Sequence, residues 1–229
     1  MAARDPVPLP DLSPPLVKVC GVTRVDDALV AVELGAALIG LNFHPASPRH
    51  VQVDRAAEIA AAVRGRARIV GVFVNRPAAE IETIDAAVRL DLVQLHGDEG
   101  PAEAAAFGGR AIKVVRVPPD DPPTAAELSR ELARYTAAWG FLFDVRHPAL
   151  YGGSGESFGW RLLAGLDRTV LAGRPLLVAG GIVADNAARA LAESGADGVD
   201  VASGVESAPG IKDRGKMERL FQEVHAHHG

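Results

Sequence analysis

The chain has 229 residues, 48 % of them hydrophobic and 23 % charged, which suits a soluble protein with one large core or two small ones. Lys and Arg number 24 against 29 Asp and Glu, and the net charge of −5 argues against non-specific attraction to nucleic acid or an anionic membrane. The single cysteine, Cys20, excludes an intrachain disulfide and a multi-cysteine metal site, and fits a reducing, cytoplasmic compartment.

Residues 1–15 are rich in Pro and lack an apolar core segment, so they read as a flexible, extended lead-in and not as a signal peptide. A catalytic domain is expected over 16–229. Its first strand, Leu16–Cys20, stops at Gly21, which leaves the thiol at a strand end. A helical pattern follows over Val25–Leu34, with Thr23 as its cap, Asp26 and Asp27 in its first turn, and Gly35 at its close. The second strand is Leu38–Phe43. Two prolines stiffen the loop after it and hold Arg49. Helix Asp54–Val63, strand Arg68–Asn75, helix Ala78–Val88 and strand Leu92–His96 come next, then helix Ala102–Phe107 and strand Ala111–Val117. Pro77 and Pro101 sit where first-turn prolines belong. Past a Pro-rich loop, helix Ala125–Ala138 leads to strand Gly140–Asp144 and the glycine-rich Tyr151–Gly155. Helix Trp160–Leu166, strand Pro175–Ala179, helix Asp185–Ser194, strand Gly198–Ala202 and helix Met217–His225 complete the series. The His-rich end, from His225 to His228, reads as a solvated tail. It has no carboxylate or cysteine at a fixed spacing, so no metal is expected there.

Strands that alternate with helices are parallel, and eight βα units over about 210 residues predict an α/β fold, a single-domain (β/α)8 TIM barrel. An open doubly wound sheet would more often carry a dinucleotide fingerprint after its first strand, and Cys20-Gly21-Val22-Thr23 is not one.

In a barrel, functional groups gather at the C-terminal ends of the strands. Those ends offer Cys20, Asn42, Asn75, Gln94 with His96, and Asp144. We assign Asn42, Gln94 and His96 to substrate binding. Glycine turns follow the last two strands, where barrels commonly hold a phosphate. Gly180, Gly181, Ala202, Ser203 and Gly204 are the candidate phosphate site, with backbone N–H donors and one hydroxyl. Asp144 follows three large apolar residues, which predicts a partly desolvated carboxylate suited to a general acid. Gly152, Gly153, Ser154 and Gly155 suggest a segment able to close over a substrate. Arg49 is the natural two-point partner of a carboxylate. Alternation turns Lys18 inward with Cys20, and Asp200 on the eighth strand can meet it. Such a pair is expected to place positive charge beneath Cys20 and favour its thiolate.

In this order, Lys18-Val19-Cys20-Gly21, Asn42-Phe43 with Ser47-Pro48-Arg49, Gly71-Val72-Phe73-Val74-Asn75, Val93-Gln94-Leu95-His96-Gly97, Asp144, Gly152-Gly153-Ser154-Gly155, Ala179-Gly180-Gly181 and Gly198–Glu206 with Pro209-Gly210 form a specific signature. From Val17 to about Asp213 the chain resembles the phosphoribosylanthranilate isomerases of tryptophan biosynthesis. It departs from them at Phe158-Gly159-Trp160, where Phe-Asp-Trp is frequent, and at Val145, where a small hydroxyl residue is frequent.

The resemblance implies a cofactor-independent Amadori rearrangement of N-(5-phosphoribosyl)anthranilate to 1-(2-carboxyphenylamino)-1-deoxy-D-ribulose 5-phosphate. It makes Asp144 the general acid, Cys20 the general base, Arg49 the contact for the anthranilate carboxylate and the glycine turns the phosphate site. The only partner expected is this small phosphorylated substrate, with no nucleic acid and no membrane. A monomer is expected, with a homodimer as the alternative. Two other readings stay open: a different phosphosugar isomerase or epimerase, which would not require Cys20 or Arg49, and a silent phospholigand-binding barrel, which would not require Cys20 or Asp144.

Overall fold

A computed structural model describes residues 12–118, 120–145 and 158–226. Eight strands pair in parallel: β1 (Leu16–Cys20), β2 (Leu38–Asn42), β3 (Arg68–Phe73), β4 (Leu92–Leu95), β5 (Ala111–Val117), β6 (Ala138–Val145), β7 (Leu176–Ala179) and β8 (Gly198–Val201). β8 returns to pair with β1, Lys18 opposite Asp200, and the sheet closes into a barrel. Helices α1 (Val25–Glu33), α2 (Val53–Val63), α3 (Ala78–Val88), α4 (Pro101–Ala105), α5 (Ala125–Ala133), α6 (Phe158–Ala164), α7 (Ala184–Ser194) and α8 (Arg214–Ala226) alternate with the strands. This is the expected (β/α)8 architecture.

The strands are short runs without a polar face because both of their faces are covered. One apolar cluster, with Leu16, Leu38, Leu92, Leu142 and Leu177, fills the lumen. The larger cluster, with Val17, Ile39, Val93, Phe141 and Val199, lies between strands and helices. The period of two continues up the lumen. Above the leucines come Lys18, Gln94 and Asp200, all buried, and above those Cys20, Asn42, His96 and Asp144. Polarity therefore rises toward the C-terminal ends of the strands.

Element boundaries mostly fall within a few residues of those expected, with three corrections. α5 stops at Ala133, because Ala138 already pairs with Ala111 in the sheet and strand pairing overrides the helical preference of the Ala-rich run. Thr23 does not cap α1. Arg24 holds the cap position without a side-chain bond, and the Thr23 hydroxyl donates to the Gly210 carbonyl at 2.6 Å. Finally, a small antiparallel hairpin, β9 (Glu206–Ala208) and β10 (Ile211–Lys212), stands between β8 and α8 where only loop was expected. Residues 1–11, the glycine segment 152–155 and residues 227–229 at the His-rich end lie outside the described residues. No described helix is long and apolar enough to cross a membrane.

Candidate active site

A cavity of about 260 Å³ opens at the C-terminal ends of the strands. Cys20, Asn42, Arg49, His96, Asp144, Gly180, Gly181, Ala202 and Ser203 all line it, with Asp200 at its floor. Two expected contacts do not. Gln94 has no exposed surface and lies behind His96, and Gly204 stands back from the opening. A larger cavity, about 460 Å³, opens at the other end of the barrel between Leu12, Trp139 and Arg174. Its ionisable groups are engaged in structure: Arg174 donates to the carbonyls of Val170 and Leu171, and Asp197 accepts from the Leu176 amide. The expected site residues gather at the first cavity.

Cys20 ends β1 with 8 % of its surface exposed. Beneath it Lys18 Nζ donates to Asp200 Oδ1 at 2.7 Å, both side chains buried, so the expected pair is present. Gly40 on β2 leaves room for it. A Cβ there would stand 2.8 Å from the Cys20 sulfur and 3.1 Å from Lys18 Nζ. The expected pull of Lys18 on the thiol is present but outweighed. Burial pushes the Cys20 thiol up and the Asp200 charge adds to this, while Lys18 and Lys212 pull it back only in part. Burial alone would lower Lys18, but the Asp200 charge and its hydrogen bond hold it above its ordinary value. The resting cysteine is a thiol whose proton is held more tightly than in water.

Asp144, at the end of β6, keeps 22 % of its side chain exposed, and His96 Nε2 faces its Oδ2 at 3.6 Å. The other ring nitrogen, Nδ1, lies 3.0 Å from Gln94 Nε2. This contact ties the His96 ring to Gln94 and leaves Nε2 turned toward Asp144. Gln94 is thus an orienting group behind the site.

Arg49 is held over the cavity from two directions. Its stem crosses Gly21, where a Cβ would be 2.4 Å from the Arg49 Cδ and where φ is +69°. Only glycine serves there, both for the turn and for the close approach. Its guanidinium meets Glu206 at two points, Nε to Oε1 at 2.8 Å and Nη2 to Oε2 at 2.7 Å. Lys212 Nζ completes the group. It donates to Glu206 Oε1 at 2.9 Å and to the carbonyls of Cys20 and Ala202 at 2.6 and 3.1 Å. Burial alone would raise the Glu206 carboxyl, but its bonds to Arg49 and Lys212 hold it below the usual range. Burial lowers Lys212. Sequence reasoning missed both residues. The available signal was a Glu and a Lys six positions apart around Pro209-Gly210, a spacing that lets a tight hairpin bring them together.

Gly180 and Gly181 follow β7 with φ of +93° and +70°. The turn after β8 packs against them, since a Cβ on Gly204 would come within 1.9 Å of the Ile182 carbonyl oxygen. The two turns form one rim of glycine-rich backbone.

Residues 17–223 match the family model described as N-(5'phosphoribosyl)anthranilate (PRA) isomerase. An N-(5'-phosphoribosyl)anthranilate isomerase of Pseudomonas putida is 41 % identical over 207 residues, covering 90 % of this chain and 96 % of that protein. The crystal structure of phosphoribosyl anthranilate isomerase from Thermotoga maritima superposes with a TM-score of 0.77 at 32 % identity, covering 92 % of this chain and 98 % of that one. A phosphoribosyl anthranilate isomerase solved with reduced 1-(o-carboxyphenylamino)-1-deoxyribulose 5-phosphate gives 0.74 at 30 % identity, with the same coverage. With its matched length, its closed barrel and this level of identity, the chain belongs to the N-(5'-phosphoribosyl)anthranilate isomerase family, enzymes of tryptophan biosynthesis.

Proposed function

We propose that this chain converts N-(5-phosphoribosyl)anthranilate to 1-(2-carboxyphenylamino)-1-deoxy-D-ribulose 5-phosphate by an Amadori rearrangement. The observation that carries this reading is the convergence of a thiol, a carboxyl, an arginine and two glycine turns on one cavity of about 260 Å³. The bound molecule in the related complex has a phosphate at one end and a carboxyphenylamino group at the other, and the cavity offers a matching group for each.

The glycine turns after β7 and β8 take the phosphate through backbone N–H groups, with the Ser203 hydroxyl as a further donor. Arg49 takes the carboxylate. With both ends fixed, the sugar lies between β1 and β6 and its reacting atoms are oriented before chemistry begins. Asp144, as the acid, gives its proton to the furanose ring oxygen. The C1′–O bond breaks and the nitrogen lone pair forms the C1′=N bond of a protonated Schiff base. His96, 3.6 Å away, orients the carboxyl. Cys20, as thiolate, then removes the proton from C2′. The electron pair forms a C1′=C2′ bond and the iminium nitrogen regains its lone pair, giving an enolamine. Protonation at C1′ and loss of the C2′ hydroxyl proton yield the ketone. Every atom of the substrate is kept, so the reaction needs no co-substrate.

The test is a fluorescence assay of the purified protein. Phosphoribosylanthranilate should be consumed with loss of its anthranilate emission. Cys20→Ser and Asp144→Asn should each lower kcat by two orders of magnitude or more, as expected for removal of a general base or acid. Full activity in Cys20→Ser would remove the thiol from the mechanism. Full activity in Asp144→Asn would do the same for the carboxyl.

A further inference from the structure

We infer that Glu206 is a positioning residue for Arg49, fixing which edge of its guanidinium meets the carboxylate of the substrate. The inference rests on the assignment of Arg49 made above and adds the group that holds it.

A guanidinium has five N–H donors in a planar fork. Glu206 occupies two of them, on Nε and on one side of Nη2. Among the described residues no protein acceptor meets Nη1. What remains is the far edge, formed by Nη1 and the second hydrogen of Nη2. That edge is itself a two-point fork of the kind that receives a carboxylate. Pairing on the near edge therefore presents the far edge.

The near-edge partner is held in its turn. Glu206 keeps only 4 % of its side chain exposed, and its Oε1 also accepts from Lys212 Nζ at 2.9 Å and from the Gly210 amide at 3.2 Å. Lys212 is fully buried and anchored on the carbonyls of Cys20 and Ala202. One hairpin thus joins the strand end that bears the thiol, the turn expected to hold phosphate and the arginine expected to hold carboxylate. Charge is conserved in the process. Arg49, Glu206 and Lys212 sum to one positive charge, so the counter-ion that orients Arg49 does not abolish its attraction for an anion.

Charge and positioning predict opposite signs, which makes the inference testable. If Glu206 acted only as a negative charge beside Arg49, removing it would improve capture of the carboxylate. If it positions Arg49, removing it weakens capture.

The measurement compares kcat/KM for phosphoribosylanthranilate with kcat/KM for phosphoribosylaniline, which lacks the carboxylate. Arg49→Ala sets the reference and should bring the ratio close to one. A parent ratio near one, or a ratio that survives Arg49→Ala, overturns the Arg49 assignment on which the inference rests. With that reference in place, Glu206→Gln should lower the ratio about tenfold, with KM for the anthranilate substrate changing more than kcat. In the Arg49→Ala background it should cause no further fall. An improved KM, a retained ratio, or an equal loss on both substrates overturns the inference. Should Glu206→Gln fail to fold, Glu206→Asp keeps the counter-charge for Lys212 but withdraws its oxygens from Arg49. There too a lowered ratio supports positioning and a retained one overturns it.

Discussion

At the scale of single residues, the general-base role proposed for Cys20 depends on its charge state. Its proton is held by burial and by Asp200 more firmly than the two neighbouring lysines release it. A base that works as thiolate is then scarce at neutral pH. The sign follows directly: the rate at which iodoacetamide labels Cys20 should climb with pH and level off only above the ordinary thiol value of about 8.5. Labelling of the parent enzyme across a pH series checks this. A plateau already reached at pH 7 would mean a stabilised thiolate and would contradict the burial argument. The position of the thiol was legible in the sequence, because a strand ending in Cys-Gly projects its last side chain from the sheet. The inward pairing of Lys18 with Asp200 was legible from alternation. The direction of the shift was not, because desolvation is a property of the whole lumen and no local motif encodes it.

At the scale of elements, the strands were readable because parallel strands buried on both faces are continuous apolar runs between turn residues. The hairpin of β9 and β10 was not, since three residues and two residues carry too little alternation to show a period. Gln94 likewise shared an inward face with His96, but nothing in the spacing told which of them reached the opening. The contact between the turns after β7 and β8 is a consequence of elements meeting, and it makes a sharp prediction. In Gly204→Ala, the added methyl would stand 1.9 Å from the Ile182 carbonyl oxygen, so the β8 turn must withdraw. Overpacking against backbone should cost about 1–3 kcal/mol of stability. KM and the inhibition constant of inorganic phosphate should rise together, by roughly tenfold for a lost tight-turn contact worth about 1.4 kcal/mol. Unchanged phosphate inhibition would dissociate that turn from the phosphate site.

At the scale of the whole molecule, Ile211 is the one exposed large hydrophobic residue among those described. A barrel that covers its own apolar surface this fully has little to gain from a second copy. Sedimentation equilibrium at micromolar concentration should return the mass of a single chain, and a stable dimer there would overturn that expectation. The layering of the lumen has one more consequence, and it concerns the electric field. Lys18 and Asp200 neutralise each other in the interior, so the floor of the cavity attracts neither sign of charge. Arg49 stands at the mouth with the buried Glu206 and Lys212 behind it, a group of net positive charge, and the glycine turns form part of the same rim. An approaching molecule with an anionic group at each end is therefore drawn to span the rim, and not to enter one end first. Its uncharged middle is what comes to rest above the neutral floor, between the thiol on one wall and the carboxyl on the other.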